Sequence, residues 1–224
     1  MSPHELSLLC DPEKHSKEKA FETIRSAAAG DKALHLKVAR ILQDQCTADH
    51  PNLNLIGRTL EVLDTAASPR VFIALVRPIL RSCDPLVQSK CVLMLARRET
   101  DLLWAYRLLD SGDSRLRANV VEGFWENNSP GVRQFFERAS RDFHHRVVGN
   151  AAYGLRIQKA PEFSSVVERM QNSPDPLFRS ALTWLIGKIA DPELFPLLKL
   201  LIRDTDPAVR SGAFLAVASL RHPG

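Results

Sequence analysis

No apolar run in this chain approaches the roughly 20 residues that cross a bilayer. The N-terminus also lacks the basic segment and long apolar stretch of a secretory signal. These absences set aside a membrane-spanning protein and make a cytoplasmic setting the default expectation. The four cysteines, Cys10, Cys46, Cys83 and Cys91, form no C-x-x-C pair, and their spacing matches neither a disulfide framework nor a zinc site. Sustained period-2 alternation, the mark of strands, is missing. So are a glycine-rich phosphate loop, a nucleophile elbow, a paired-carboxylate motif and His-Glu-x-x-His. Adjacent His144 and His145 would point about 100° apart on a helix, a poor geometry for chelation. The expectation is therefore no catalytic residue, no metal and no cofactor.

What is present favours packed helices. Hydrophobic residues make up 45% and aromatics only 7%, so the core rests mainly on Leu, Ala and Val. The formal net charge is +4. Residues 1–67 carry 8 Lys and Arg against 10 acids, and residues 68–224 carry 22 against 16. This scattered surplus permits nucleic-acid contact without favouring it.

One short frame recurs. Its clearest copy is Asp206-Pro207-Ala208-Val209-Arg210, and the others begin at Asp175, Asp142, Asp113 and, more weakly, Asp84. The steps between these aspartates are 29, 29, 33 and 31 residues, the period of a solenoid. Asp suits a helix N-cap, where it accepts hydrogen bonds from unpaired backbone N–H groups. Pro suits the next position, where its missing N–H costs nothing. Residues at plus three, seven and eleven should face inward: Val209, Ala213 and Val217 in the last copy, and His145, Gly149 and Tyr153 in the copy at Asp142. The arginines at plus four are Arg117, Arg146, Arg179 and Arg210. They are expected to form a ladder with Asp84, Asp113, Asp142, Asp175 and Asp206, each Arg reaching a cap Asp in its own or an adjacent repeat, because Arg pairs a carboxylate through two parallel bonds. The alternative is a row of guanidinium groups offered to an anion. Asp84 begins the weak copy, which has Gln88 in place of Arg.

The Asp-Pro-x-Val-Arg turn at Asp206, and its near match at Asp175, resemble HEAT repeats, particularly the short variety also found in phycobilisome lyase subunits. The copies at Asp142 and Asp113 lack the Pro. The resemblance covers about residues 68–221. It implies an all-α, right-handed α-α superhelix of about five to six helix pairs, with second helices on the concave side and a scaffold's role in binding protein partners.

Taken in order, residues 1–15 read as an N-terminal arm and 16–67 as divergent helices. Residues 68–224 read as the clear repeats, continuous with the preceding helices. First helices are expected near 70–81, 99–110, 130–140, 162–172 and 192–203. Second helices are expected near 85–98, 114–127, 143–157, 176–189 and 207–221. Pro78 should kink the first of these. The apolar last pair suggests either continuation or self-association at the C-terminal end.

The candidate partner surface consists of Asn119, Glu122, Trp125, Asn150, Trp184 and Lys188. On second helices these would make a groove of aromatic anchors with polar flanks; the other reading of the indoles is as filler between repeats. The leading expectation is a non-catalytic scaffold for a protein partner. The alternatives are a nucleic-acid-binding protein, resembling HEAT-like DNA glycosylases, and a chromophore lyase subunit.

Overall fold

The computed structural model describes residues 31–82 and 85–221. The expected arm at 1–15, residues 16–30 of the expected divergent helices, the cap expected at Asp84 and residues 222–224 lie outside them. The described residues form twelve α-helices and no strand. The chain divides into two compact units, residues up to Glu99 and residues from Thr100.

In the first unit, α1 (Lys32–Cys46), α2 (Leu53–Ala66), α3 (Pro69–Val76) and α4 (Pro85–Ala96) surround Leu42, Leu60, Leu63, Phe72, Cys91 and Leu95, all fully buried. Asp31 caps α1 and Asn52 caps α2 through their side chains. Pro69 occupies the first turn of α3 behind Ser68. Where a kink was expected at Pro78, α3 instead stops at Val76 and a 3₁₀ turn follows over Ile79–Ser82, because Pro removes a backbone donor and crowds the preceding turn. Arg98 returns from the end of α4 to Asp64 on α2, with Nε–Oδ1 2.6 Å. Burial pushes the Cys91 thiol up to about 12. Cys46 is disulfide-bonded, which its sequence spacing did not suggest.

The second unit holds four helix pairs: α5 (Leu102–Leu109) with α6 (Ser114–Gly123), α7 (Val132–Ala139) with α8 (His145–Ile157), α9 (Glu162–Gln171) with α10 (Pro176–Ile189), and α11 (Phe195–Leu201) with α12 (Pro207–Arg221). The second helices α6, α8, α10 and α12 contact one another in succession, and each packs on the first helix of its own pair. Small residues permit the close approach. A Cβ at Gly154 would lie 2.6 Å from the Phe136 ring. Gly154→Ala is therefore expected to lower stability by about 1–3 kcal/mol despite its better helix propensity, as thermal unfolding would show.

The caps reset the repeat. Asp113, Asp175 and Asp206 accept backbone N–H bonds at the starts of α6, α10 and α12. In α8, however, the cap is His144, whose Nδ1 accepts from Arg146 N at 3.3 Å. Asp142, expected to be that cap, stands two residues earlier. The caps thus fall at 113, 144, 175 and 206, an even 31 residues apart. The inward residues of α8 move accordingly. Val147, Ala151 and Leu155 are fully buried there; of the residues expected inward, Gly149 is buried as well, whereas His145 and Tyr153 are only partly buried. Steric fit to the neighbouring helices fixes this register, and the aspartate alone could not reveal it.

The corrected register shows what the arginines hold. Arg117 and Arg179, each four residues after a cap, reach forward to the residue two before the next cap. Arg117 pairs with Asp142 at 2.7 and 3.1 Å, and Arg179 pairs with Asp204 at 2.7 and 2.8 Å. The remaining guanidinium nitrogen of each donates to carbonyls of its own loop: Ser111 and Gly112 for Arg117, Ser173 and Pro174 for Arg179. Arg210 makes the same loop bonds to Asp204 and Thr205. The acids in these rungs are therefore not the caps. Arg146 takes no rung, because it sits two residues after its cap, and buried Val148 fills the ladder position.

Candidate functional site

The exposed face of α6, α8 and α10 carries a groove of about 500 Å³. Five of the six sequence-selected residues line it: Glu122, Trp125, Asn150, Trp184 and Lys188. Asn119 does not. His145, Arg146 and Leu177 complete its polar and apolar walls. Gly149 lies at its floor, where a Cβ would meet the Trp184 ring at 3.7 Å in ordinary contact.

The aromatic floor is built from three consecutive repeats. Trp125 follows the end of α6, which stops at Gly123 rather than near 127. Its indole Nε1 donates to the Asn150 carbonyl at 2.9 Å. The buried Asn150 side chain in turn donates to the Ala118 carbonyl at 2.9 Å, tying α8 to α6. Trp125 meets Tyr153 edge-on, with centroids 4.5 Å apart, and stacks against Trp184 at 6.3 Å. Such pairs contribute about 0.5–1.5 kcal/mol beyond area burial. The Lys188 ammonium lies 5.7 Å from the Trp125 ring centroid and 5.6 Å from that of Tyr153, within cation–π range. Trp125 is half-buried, whereas Trp184 is 44% exposed and leaves an open indole surface.

Tyr153 was not among the sequence-selected residues. Its signal is available in hindsight: with the cap at His144, Tyr153 falls one helical turn after Asn150, on the same face. A frame starting at Asp142 puts His145 in the core and Arg146 in the ladder; the two-residue shift in register moves both to the groove. Burial, then the neighbouring His144, holds the His145 imidazole below its ordinary range; nearby Asp175 opposes this, while Arg146 adds to it. The His144 and His145 rings stack with centroids 4.5 Å apart.

The lining places two fixed cations, Arg146 and Lys188, beside one carboxylate, Glu122. Among the described residues, no cluster of three or more His, Cys, Asp or Glu could hold a metal ion, and no helix is long and apolar enough to cross a membrane. The arrangement suits recognition by shape, stacking and charge.

The family comparison agrees with the repeat geometry over the last two helix pairs. Residues 163–224 match the family described as HEAT repeats. No curated protein matches the chain significantly. Two crystal structures of engineered proteins are similar to it. One has a TM-score of 0.42 at 15% identity, covering 97% of this chain and 67% of that one. The other has a TM-score of 0.35 at 15% identity, covering 99% and 97%. Residues 163–224, the last two helix pairs, are thus similar to HEAT repeats, and the helix pairs before them follow with the same even spacing.

Proposed function

We propose that this protein is a non-catalytic scaffold whose groove on α6, α8 and α10 receives a segment of a protein partner. The observation that carries the reading is the open Trp184 ring beside the preformed Trp125–Tyr153 pair. Aromatic anchors in a fixed pocket with a polar rim are typical of the energetic centre of a protein interface. Because Asn150 and Lys188 already hold the rings, little side-chain ordering remains to oppose association. A photo-crosslinking residue placed at Leu177, on the groove edge and 53% exposed, tests this. A second at Leu103, on α5 and 71% exposed, is the control. In native extract, discrete protein adducts are expected at Leu177 and not at Leu103. Equal labelling at both positions, or nucleic-acid adducts removed by nuclease, would refute the proposal.

A further inference from the structure

The repeat capped by His144 differs from its neighbours in one way that bears on the groove's ligand. The residue two after the cap is Arg115 in the preceding repeat, Arg146 in this one and Leu177 in the next. Arg115 is neutralised by its own cap, with Nη2–Oδ2 of Asp113 at 3.1 Å. Arg146 occupies the same position over a histidine cap, which offers it no carboxylate. It is exposed, it lines the groove, and its side chain has no hydrogen-bond or ion-pair partner among the described residues.

Lys188 is the second cation of the groove. The faces of Trp125 and Tyr153 attract its ammonium but do not cancel its charge. Glu122, the single carboxylate of the lining, leaves the groove with a net positive charge. Two fixed cations beside a carboxylate suit an isolated acid. They suit a run of phosphates poorly, since phosphate tracking needs several cations in a row.

We infer that the groove takes a peptide segment in which an acidic side chain lies within two residues of a large apolar one. The acid goes to Arg146 and the apolar group goes to the open face of Trp184. This rests on the groove being a protein-docking site and names the chemistry of what docks there. A guanidinium without a partner is a strong bidentate donor for a carboxylate, and stacking on Trp184 supplies the desolvated anchor beside it. Glu122 selects against a second acid at its end of the segment and so gives the segment a direction.

The test is selection of a displayed library of random 12-residue peptides on the full chain. Enriched peptides are then measured by fluorescence anisotropy against the wild type, Trp184→Ala, Arg146→Glu and His144→Asp. Both Trp184 and Arg146 are exposed, and circular dichroism checks that each variant is folded. The expected peptides pair Asp or Glu with Phe, Trp, Leu or Met. Their affinity falls about tenfold in Arg146→Glu, less in His144→Asp, and recovers in Arg146→Glu when the peptide acid is changed to Lys. Peptides lost in Trp184→Ala but without acidic bias would overturn this inference and leave the docking groove standing. An enriched set indifferent to Trp184→Ala would overturn both. A mixed-sequence single-stranded oligonucleotide that bound more tightly than any peptide, and weakened in both Trp184→Ala and Arg146→Glu, would also overturn both.

Discussion

The helix pair capped by His144 and those capped by Asp113 and Asp175 share a frame but use their arginines differently. In the Asp-capped repeats the frame arginine turns inward and forward, pairing with Asp142 or Asp204 and bracing its own loop. In the His-capped repeat the ladder position is Val148, and the arginine stands two residues earlier, facing the groove. One element thus serves the integrity of the stack in two places and presents charge to solvent in a third. A repeat protein gains a binding feature this way without altering its architecture, because stacking depends on the apolar residues of each helix and only locally on the turn.

The sharpest way to break the comparison is at the buried rung. Arg117 and Asp142 are 2% and 9% exposed, so Asp142→Ala leaves a buried guanidinium uncompensated. A loss of about 3–5 kcal/mol is expected from such a change, read by denaturant unfolding. A loss under 1 kcal/mol would mean that the ladder is incidental.

Asp204→Ala removes the second rung, which is slightly more exposed at 14% and 10%. About 1.5–3 kcal/mol is expected from its charge-assisted hydrogen bonds. This rung also predicts a pH dependence. The bond from Arg179, more than any other contact, holds the Asp204 carboxyl below its ordinary range. The unfolded chain therefore takes up this proton first as pH falls. The rung's stabilisation is present above the ordinary carboxylate range and is lost as pH falls through it to the lowered value. Wild type and variant should converge on acidification, and a gap that stayed constant to acid pH would contradict the pairing.

His144→Asp converts the exceptional repeat toward its neighbours. The new carboxylate would complement the helix dipole, adding roughly 0.3–1 kcal/mol, and would draw Arg146 as Asp113 draws Arg115. The neighbouring Asp142 is no obstacle, because Asp204 and Asp206 already coexist at equivalent positions. Thermal unfolding should show a small rise in midpoint while partner binding weakens. Arg146→Glu has the smallest expected effect on folding, within about 0.5 kcal/mol as for surface positions away from packing features, and a larger effect on binding than on stability. The opposite ranking would place Arg146 among the structural arginines.

Much of the fold was legible because helix pairing leaves a strong signature. Capping residues, prolines at first turns and apolar residues at helical spacing located the pairs of the second unit, with ends misplaced by a few residues. The groove was legible in part. Asn150, Trp184 and Lys188 converge on it from one side of successive second helices, and Trp125 joins them from the turn that follows α6. Arg146, His145 and Tyr153 are hidden by one feature: Asp142 has the chemistry of a cap but stands two residues before the true one, His144. The step of 31 residues from 175 to 206, and twice that from 113 to 175, predicts a cap at 144, but histidine is a less usual cap than aspartate and carries a weaker signal.

The sequence by itself determined the α-helical repeat, the helix starts at Asp113, Asp175 and Asp206 and the small residues at helix contacts, because these follow from local backbone chemistry and periodic burial. Only the tertiary structure decided the partners of Arg117 and Arg179. Each pairing bridges adjacent repeats 25 residues apart in the chain, and the choice between two nearby aspartates depends on how the loops lie against each other. The same holds for Arg146. Whether an arginine completes a rung or faces a groove depends on a rotation of about 100° per residue around the helix, and the packing of Val147, Ala151 and Leu155 fixes that rotation.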